Sequence, residues 1–245
     1  MIIDTLLGVT LLGFFAGTVG TGIGGISTFI FNKPSNHLFS FILGFSGGLM
    51  IAIVCFDLLP EAFNTGLFWP LIGIIIGVVM ITIFDQMLSF HLSANHSKNN
   101  YLKTGTLMGV SIALHNFPEG LAIGSGLAAN STLGISLSVI ILLHNIPEGM
   151  AMAAPLSLSG ISKFKVLLYT IYAGLPMGVG ALIGGYFGNI SESFIGICLG
   201  FAGGSMLFIT CQEIIPKSNV LWKGRTSGFA IIFGIICGIL LSKAL

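Results

Sequence analysis

Charge is what this chain of 245 residues has least of. Nine lysines and arginines and eight acids make up 7% of it, against about 25% charged residues in an ordinary soluble domain. With 54% hydrophobic residues and a mean hydropathy of +1.03, a water-soluble globular fold is excluded. The net charge of +1 leaves no basic patch, which excludes nucleic acid as a partner. Cysteine is also sparse. Cys55, Cys198, Cys211 and Cys237 sit singly inside apolar stretches without C-x-x-C spacing, so they read as packing residues and not as a disulfide framework or a zinc knuckle. No positively charged segment opens the chain, and Asp4 stands where a signal peptide would carry lysine. The first apolar run is therefore expected to be a retained helix. Gly20-Thr21-Gly22-Ile23-Gly24-Gly25 spells G-x-G-x-x-G, but no strand precedes it and no βαβ unit follows, so helix packing accounts for it better than a nucleotide.

What the chain has in abundance is long apolar runs. They fall at roughly 3–26, 39–59, 67–90, 106–127, 133–156, 166–187, 194–215 and 227–241. Each is expected to be long enough to cross a hydrocarbon core of about 30 Å at about 1.5 Å per residue. The predicted fold is all-α: a polytopic membrane protein of eight transmembrane helices in a single domain over residues 1–245, with the lipid bilayer as solvent. The longest connection, about 89–104, is polar. Lys33, Lys98, Lys103, Lys163, Lys165, Lys217, Lys223 and Arg225 all fall in the loops that follow odd-numbered helices, and only Lys243 falls on the other side. Cations collect on the cytoplasmic side, so both termini are expected outside the cell membrane.

Two of the runs are interrupted by the same hexapeptide. His115-Asn116-Phe117-Pro118-Glu119-Gly120 and His144-Asn145-Ile146-Pro147-Glu148-Gly149 lie 29 residues apart. A charged side chain at mid-bilayer costs about 2.5–3.5 kcal/mol on insertion scales, so two such motifs need a compensating partner. On a helix, His at i and Glu at i+4 share one face. Pro118 and Pro147 bring no N–H, which frees carbonyls one turn earlier and can kink the helix. Two such helices packed face to face gather two imidazoles and two carboxylates, a ligand set that suits Zn²⁺ or Fe²⁺. Di-iron bundles use Glu-x-x-His and zinc proteases H-E-x-x-H. Neither spacing occurs here, and no nucleophile or general base is otherwise marked.

A second repeat relates the second and seventh runs. Gly44-Phe45-Ser46-Gly47-Gly48-Leu49-Met50 through Cys55, Asp57 and Pro60 matches Gly200-Phe201-Ala202-Gly203-Gly204-Ser205-Met206 through Cys211, Glu213 and Pro216. The two runs cross in opposite directions, so the repeat is inverted, as in many secondary transporters. Glycine numbers 35, about twice the usual share of ~7%. Gly44/Gly48, Gly73/Gly77, Gly200/Gly204 and Gly234/Gly238 have the small-xxx-small spacing of closely packed membrane helices.

The doubled H-N-x-P-E-G, the eight helices and the outward termini resemble the ZIP (ZRT/IRT-like) divalent metal transporters, in particular their bacterial ZupT/GufA-like branch, over essentially the whole chain. The resemblance implies a binuclear metal site at mid-membrane between the fourth and fifth helices, and movement of Zn²⁺, and often Fe²⁺, Mn²⁺ or Cd²⁺, into the cytoplasm. It assigns the primary site to His115, Glu119, His144 and Glu148, with Met50 matching a helix-two methionine of the family. It assigns a second site to Asn116 and Asn145 with a helix-six glutamate. Here that segment reads Ala173-Gly174-Leu175-Pro176-Met177-Gly178, so Met177 stands in place of the acid. His91 and His96 occupy the loop where the family often carries a histidine-rich tract. The resemblance also implies that helices one, four, five and six slide as a block against the rest. The glycine-rich second and seventh helices are expected to offer that block a smooth surface.

Orientation places Asp57 toward the outer entrance, and Glu213, with Gln212 beside it and Asp85 on helix three, toward the inner exit. The resulting reading is a metal importer, not an enzyme, with divalent metal as transported ligand and no cofactor; a homodimer is compatible with the composition. A membrane-embedded metalloenzyme and a proton-coupled carrier of an organic solute are the competing classes, and the polar groups are too few to suit the latter. The topology has a direct test. A thiol reagent that cannot cross the membrane should label Asn130→Cys from outside and Asn99→Cys only from inside, and the reverse pattern would invert the direction of transport.

Overall fold

A computed structural model describes residues 5–30, 35–93, 100–222 and 224–244. Helices account for nearly all of them and no strand occurs among them. Eight long helices follow one another: α1 Leu6–Ile30, α2 Asn36–Asn64, α3 Phe68–Ser93, α4 Asn100–Ala129, α5 Ser131–Leu158, α6 Lys163–Gly188, α7 Glu192–Leu221 and α8 Thr226–Ala244. Seven of them are long and apolar enough to cross a membrane; α4, which carries His115 and Glu119, is the most polar and falls short on composition alone. At 30 residues it spans about 45 Å. The helices overrun the expected bounds most around the polar 89–104 stretch, where Tyr101, Lys103 and Thr104 are helical. Lys33, His96, Lys98, Asn99 and Lys223 lie outside the described residues, and His91 falls in the last turns of α3.

Short polar signals punctuate the apolar helices. Ser35, Asn130, Ser162 and Ser191 are N-caps whose side chains accept a backbone N–H two or three residues on, which satisfies donors that the first turn leaves unpaired. Two glycines with positive φ, Gly66 (113°) and Gly160 (85°), turn the chain just after α2 and α5, a conformation that costs glycine nothing. The helices run on through Pro118, Pro147, Pro155 and Pro176.

Close approaches between helices fix their directions. On α2 and α8, Gly44, Gly48 and Ala52 face Ala230, Gly234 and Gly238 in rising order, so the two helices are parallel. The same ordering holds for α3 and α7, where Gly73 and Gly77 meet Ile197 and Phe201, and for α4 and α6, where Gly120 and Gly124 meet Met177 and Ala181. It also holds for α1 and α5, where Gly20 and Gly24 meet Leu142 and Ile146. Between α2 and α7 the order reverses, with Ser40 against Ser218, Gly47 against Ile214 and Val54 against Gly203. Alternating crossings require each of these senses, and they make the α2/α7 repeat an inverted one.

That repeat extends to a local irregularity. A single π-helical turn interrupts α2 at Val54–Leu58 and α7 at Thr210–Ile214, 156 residues apart at both ends. In each, an N–H reaches back five residues, Leu59 to Val54 and Ile215 to Thr210. Pro60 and Pro216 follow at once and bring no N–H of their own. The ladder therefore shifts by one residue where it would otherwise lose a bond. Such turns concentrate at functional positions, and these hold Asp57 and Glu213.

The helices sort into two groups, α1, α4, α5 and α6 in one and α2, α3, α7 and α8 in the other. Glycines lock each group internally. A Cβ on Gly17 would strike the Gly174 carbonyl, on Gly149 that of Thr21, on Gly48 that of Ile231, and on Gly204 that of Ile74. The four small-xxx-small pairs thus meet two by two, Gly44/Gly48 with Gly234/Gly238 and Gly73/Gly77 with Gly200/Gly204. Gly20 and Gly24 of the G-x-G-x-x-G stretch face the α5 backbone, which makes that stretch a packing surface. One expectation is overturned: Gly44 and Gly48 of α2 and Gly200 and Gly204 of α7 are spent on α8 and α3 and do not face the other group. The seam between the groups is built instead from whole side chains, among them Leu137, Ile140 and Ile141 of α5 with Met50, Ile53, Met206 and Ile209.

If backbone contact holds each group together, adding one methyl at such a contact should be costly. Gly174→Ala, whose Cβ would meet the Gly17 backbone, should lose about 1–3 kcal/mol, read as a lowered melting midpoint in detergent. Gly228→Ala, which faces open space, should leave that midpoint unchanged; equal melting of the two variants would disprove the locking role.

Candidate metal site

α4 and α5 carry the two H-N-x-P-E-G motifs into the centre of the first group. Glu119, His144 and Glu148 converge there, each offering a ligand atom within 4.8 Å of the others. His144 Nε2 stands 3.2 Å from Glu148 Oε1 and 3.5 Å from Glu119 Oε1. All three side chains are buried. Its other ring nitrogen, Nδ1, shares a 2.6 Å hydrogen bond with the Ser46 hydroxyl of α2. A partner on the far nitrogen fixes the ring plane and the tautomer, as in many metal-ligating histidines. Met50, one turn beyond Ser46 on the same face of α2, is fully buried in the same core.

The carboxylates find few donors. Both oxygens of Glu119 and Oε2 of Glu148 are buried without a hydrogen bond, and so are the side-chain oxygens of Asn116 and Asn145. Each amide spends its nitrogen instead: Asn116 Nδ2 donates to the Ala173 carbonyl at 2.8 Å, and Asn145 Nδ2 points at Met177 Sδ at 3.9 Å. Both bonds reach α6, and both leave the amide oxygens uncommitted. Buried acceptors without donors are rare and costly. Five from two adjacent motifs form an oxygen-rich set that fits a hard or borderline cation. Met177 itself is fully buried and adds a neutral thioether where the resemblance calls for a carboxylate.

His115 is the sequence-predicted ligand that the structure sets apart. Its Nε2 lies 3.2 Å from Glu213 Oε1 of α7 and 3.3 Å from the Ser111 hydroxyl one turn back on α4. Ser111 also reaches Glu213, at 3.4 Å. Lys217, one turn beyond Glu213, closes on its other oxygen at 2.7 Å. A cavity of about 40 Å³ is lined by His115, Glu148, Glu213 and Lys217, so Glu148 borders both groups of polar residues. Asp85 joins Ser111, His115 and Glu213 around a smaller cleft of about 10 Å³. Gln212 is exposed on the flank of α7. At the opposite end, Asp57 accepts a hydrogen bond from Ser242 of α8, and Glu61 and Glu192 line a polar cavity of about 470 Å³.

Three polar residues were not singled out from the sequence as part of this arrangement: Ser46, Ser111 and Lys217. Ser111 had a signal, since Ser111, His115 and Glu119 step by four along one face of α4. Ser46 looked like another small residue in a glycine run, and its role depends on which helix it meets.

The family model described as "ZIP Zinc transporter" matches residues 103–243. The zinc transporter ZupT of Akkermansia muciniphila is 31% identical, over 97% of this chain and 96% of its own length. That of Corynebacterium glutamicum is 31% identical, over 93% of both. That of Chlorobium chlorochromatii is 28% identical, over 95% of this chain and 96% of its own. The similarity runs the length of both chains and includes the helices that carry the doubled motif, and this multi-pass membrane protein belongs to the ZIP family of transporters.

Proposed function

We propose that the chain imports divalent transition-metal ions, Zn²⁺ foremost and Fe²⁺, Mn²⁺ or Cd²⁺ by the same chemistry, into the cytoplasm across the cell membrane. The observation that carries this reading is the set of buried, donorless oxygens on Glu119, Glu148, Asn116 and Asn145 beside the His144 imidazole. Two carboxylates with ligand oxygens within 4.8 Å of one another repel by roughly 4 kcal/mol at an effective dielectric constant of 20, and a dication between them turns that repulsion into attraction. Two oxygens and an imidazole nitrogen are a familiar zinc set, and softer or harder divalent ions fit it almost as well. With metal on Nε2, His144 keeps its Nδ1 proton and donates it to Ser46. Met50 and, once a shift between the groups frees it from Glu213, His115 complete the coordination. The metal is cargo and not a cofactor, and membership in a transporter family separates the chain from the metalloenzyme reading.

Access alternates in this reading. The ligands Glu119, His144 and Glu148 ride on the α1/α4/α5/α6 group, while Ser46, Met50 and Glu213 belong to the other. A shift along the side-chain seam therefore changes which of the second group's residues the ligands face. Asp57 marks the outer approach, and His115, Glu213 and Asp85 the inner departure, with both termini outside.

The core test is flux into proteoliposomes with a panel of divalent ions. Glu119→Ala and Glu148→Ala should leave expression largely intact and each abolish Zn²⁺ uptake; substantial uptake by both would sink the assignment.

Met177 bears on how many metals bind. A second dication beside the first needs further negative charge, and Met177, Asn116 and Asn145 bring none. The protein should hold one Zn²⁺ tightly by equilibrium binding. Met177→Glu, of similar volume, should add or strengthen a second, and two tightly held ions in the unaltered protein would refute this account of Met177.

A further inference from the structure

The inverted repeat is faithful in its glycines, its π-helical turns, its cysteines and its prolines, and it breaks in sign at one position. Asp57 corresponds to Glu213, but Glu61 corresponds to Lys217. At one end of the molecule two carboxylates stand a turn apart; at the other a carboxylate and an ammonium do. The ammonium is engaged. Lys217 Nζ sits 2.7 Å from Glu213 Oε2, and its side chain is 48% exposed while that of Glu213 is 19% exposed. Glu213 simultaneously holds His115 at 3.2 Å, and all three line one small cavity with Glu148, a carboxylate of the metal cluster.

We propose that Lys217 is a tethered counter-cation that competes with the transported metal for Glu213 and thereby speeds its release at the inner end of the path. The proposal rests on the transport reading above. An ion leaving Glu148 for His115 and Glu213 meets a carboxylate already half neutralised. To bind both Glu213 oxygens it has to displace the ammonium, which is held by a flexible four-carbon stem and is never lost to solution. The return of the ammonium then expels the metal without waiting for a second ion. At the other end, Glu61 adds negative charge beside Asp57 and favours capture. The half-exposed position of Lys217 lets its head swing into water while metal passes, at little cost, because such a pair is worth on the order of a kcal/mol or less. Lys217 touches Glu213 and not the metal, so it acts as a positioning residue.

The test uses Zn²⁺ with the full chain, by equilibrium binding against a competing chelator in detergent and by uptake into proteoliposomes. Lys217→Gln should tighten Zn²⁺ binding about threefold to fivefold and lower KM and kcat for uptake together, the pattern of slowed release. Lys217→Arg, which keeps the charge, should match the unaltered protein, and Glu213→Gln combined with Lys217→Gln should lose the gain in affinity. Lys217→Met provides a second neutral variant should the first fail to insert. Unchanged affinity and unchanged KM and kcat in the neutral variants, or an arginine variant that behaves like glutamine, would overturn the proposal. Glu119→Ala, run alongside, separates the two readings: loss of flux there with no effect at Lys217 removes the counter-cation alone, whereas full flux in Glu119→Ala removes the transport site and this inference with it.

Discussion

Two glutamates and an imidazole held out of water, with too few donors to satisfy them, are the constraint around which this molecule is built. In a soluble protein, water or a loop could supply the missing hydrogen bonds. In a hydrocarbon core nothing does, and the cost falls on the packing around the site. The rest of the first group is arranged to hold those residues in place. α1 and α6 press their glycines against α5 and α4 so closely that backbone meets backbone, which leaves the motif helices little freedom to rotate and bury their carboxylates differently. Even the amide nitrogens of the motif asparagines are committed, to Ala173 and Met177 of α6, so that only the oxygens remain uncommitted.

The same constraint explains where the two groups meet. Glycine faces, once locked, cannot slide without breaking many close contacts at once. Branched and long side chains, as along the seam of Leu137, Ile140, Met50 and Met206, can repack against one another at modest cost. Rigid groups with a deformable seam are what alternating access needs, and the polar bonds across this seam include Ser46 to His144 and Glu213 to His115 and Ser111. In the proposed transport cycle, a shift along the seam would change the partners of His144 and His115 directly, with no relay through distant residues.

Much of this was legible in the residues. Apolar runs pointed to the crossings, because the bilayer enforces length so strictly. Small-xxx-small spacing gave the faces, though not their partners: that Gly48 meets α8 and Gly204 meets α3 depends on which helix arrives, and the smooth sliding surface expected of α2 and α7 proved to be their lock. The doubled motif pointed to Glu119, His144 and Glu148, which the fold brings together. Spacing by four could place His115 on the same face as Glu119, but it could not say that an acid on α7 would draw the imidazole away. Likewise the matching of Pro60 with Pro216 could not reveal that the ladder steps by one residue just before each of them. The polar start of α4 read as loop because water, unlike lipid, tolerates helix and coil alike.

Parallel neighbours carry a consequence for how the chain is made. Two helices that run the same way can pair only after the chain has crossed back at least once. The α1/α5 and α4/α6 pairs are complete when α6 emerges, but α2 and α3 wait for α7 and α8, which follow it. Until then the glycine faces of α2 and α3 lack the helices they meet in the folded chain, with long-range contacts still unmade. The half that carries the doubled motif can thus assemble during synthesis before the other half closes. A truncation that removes α8 would spare the former and strand α2 without its partner.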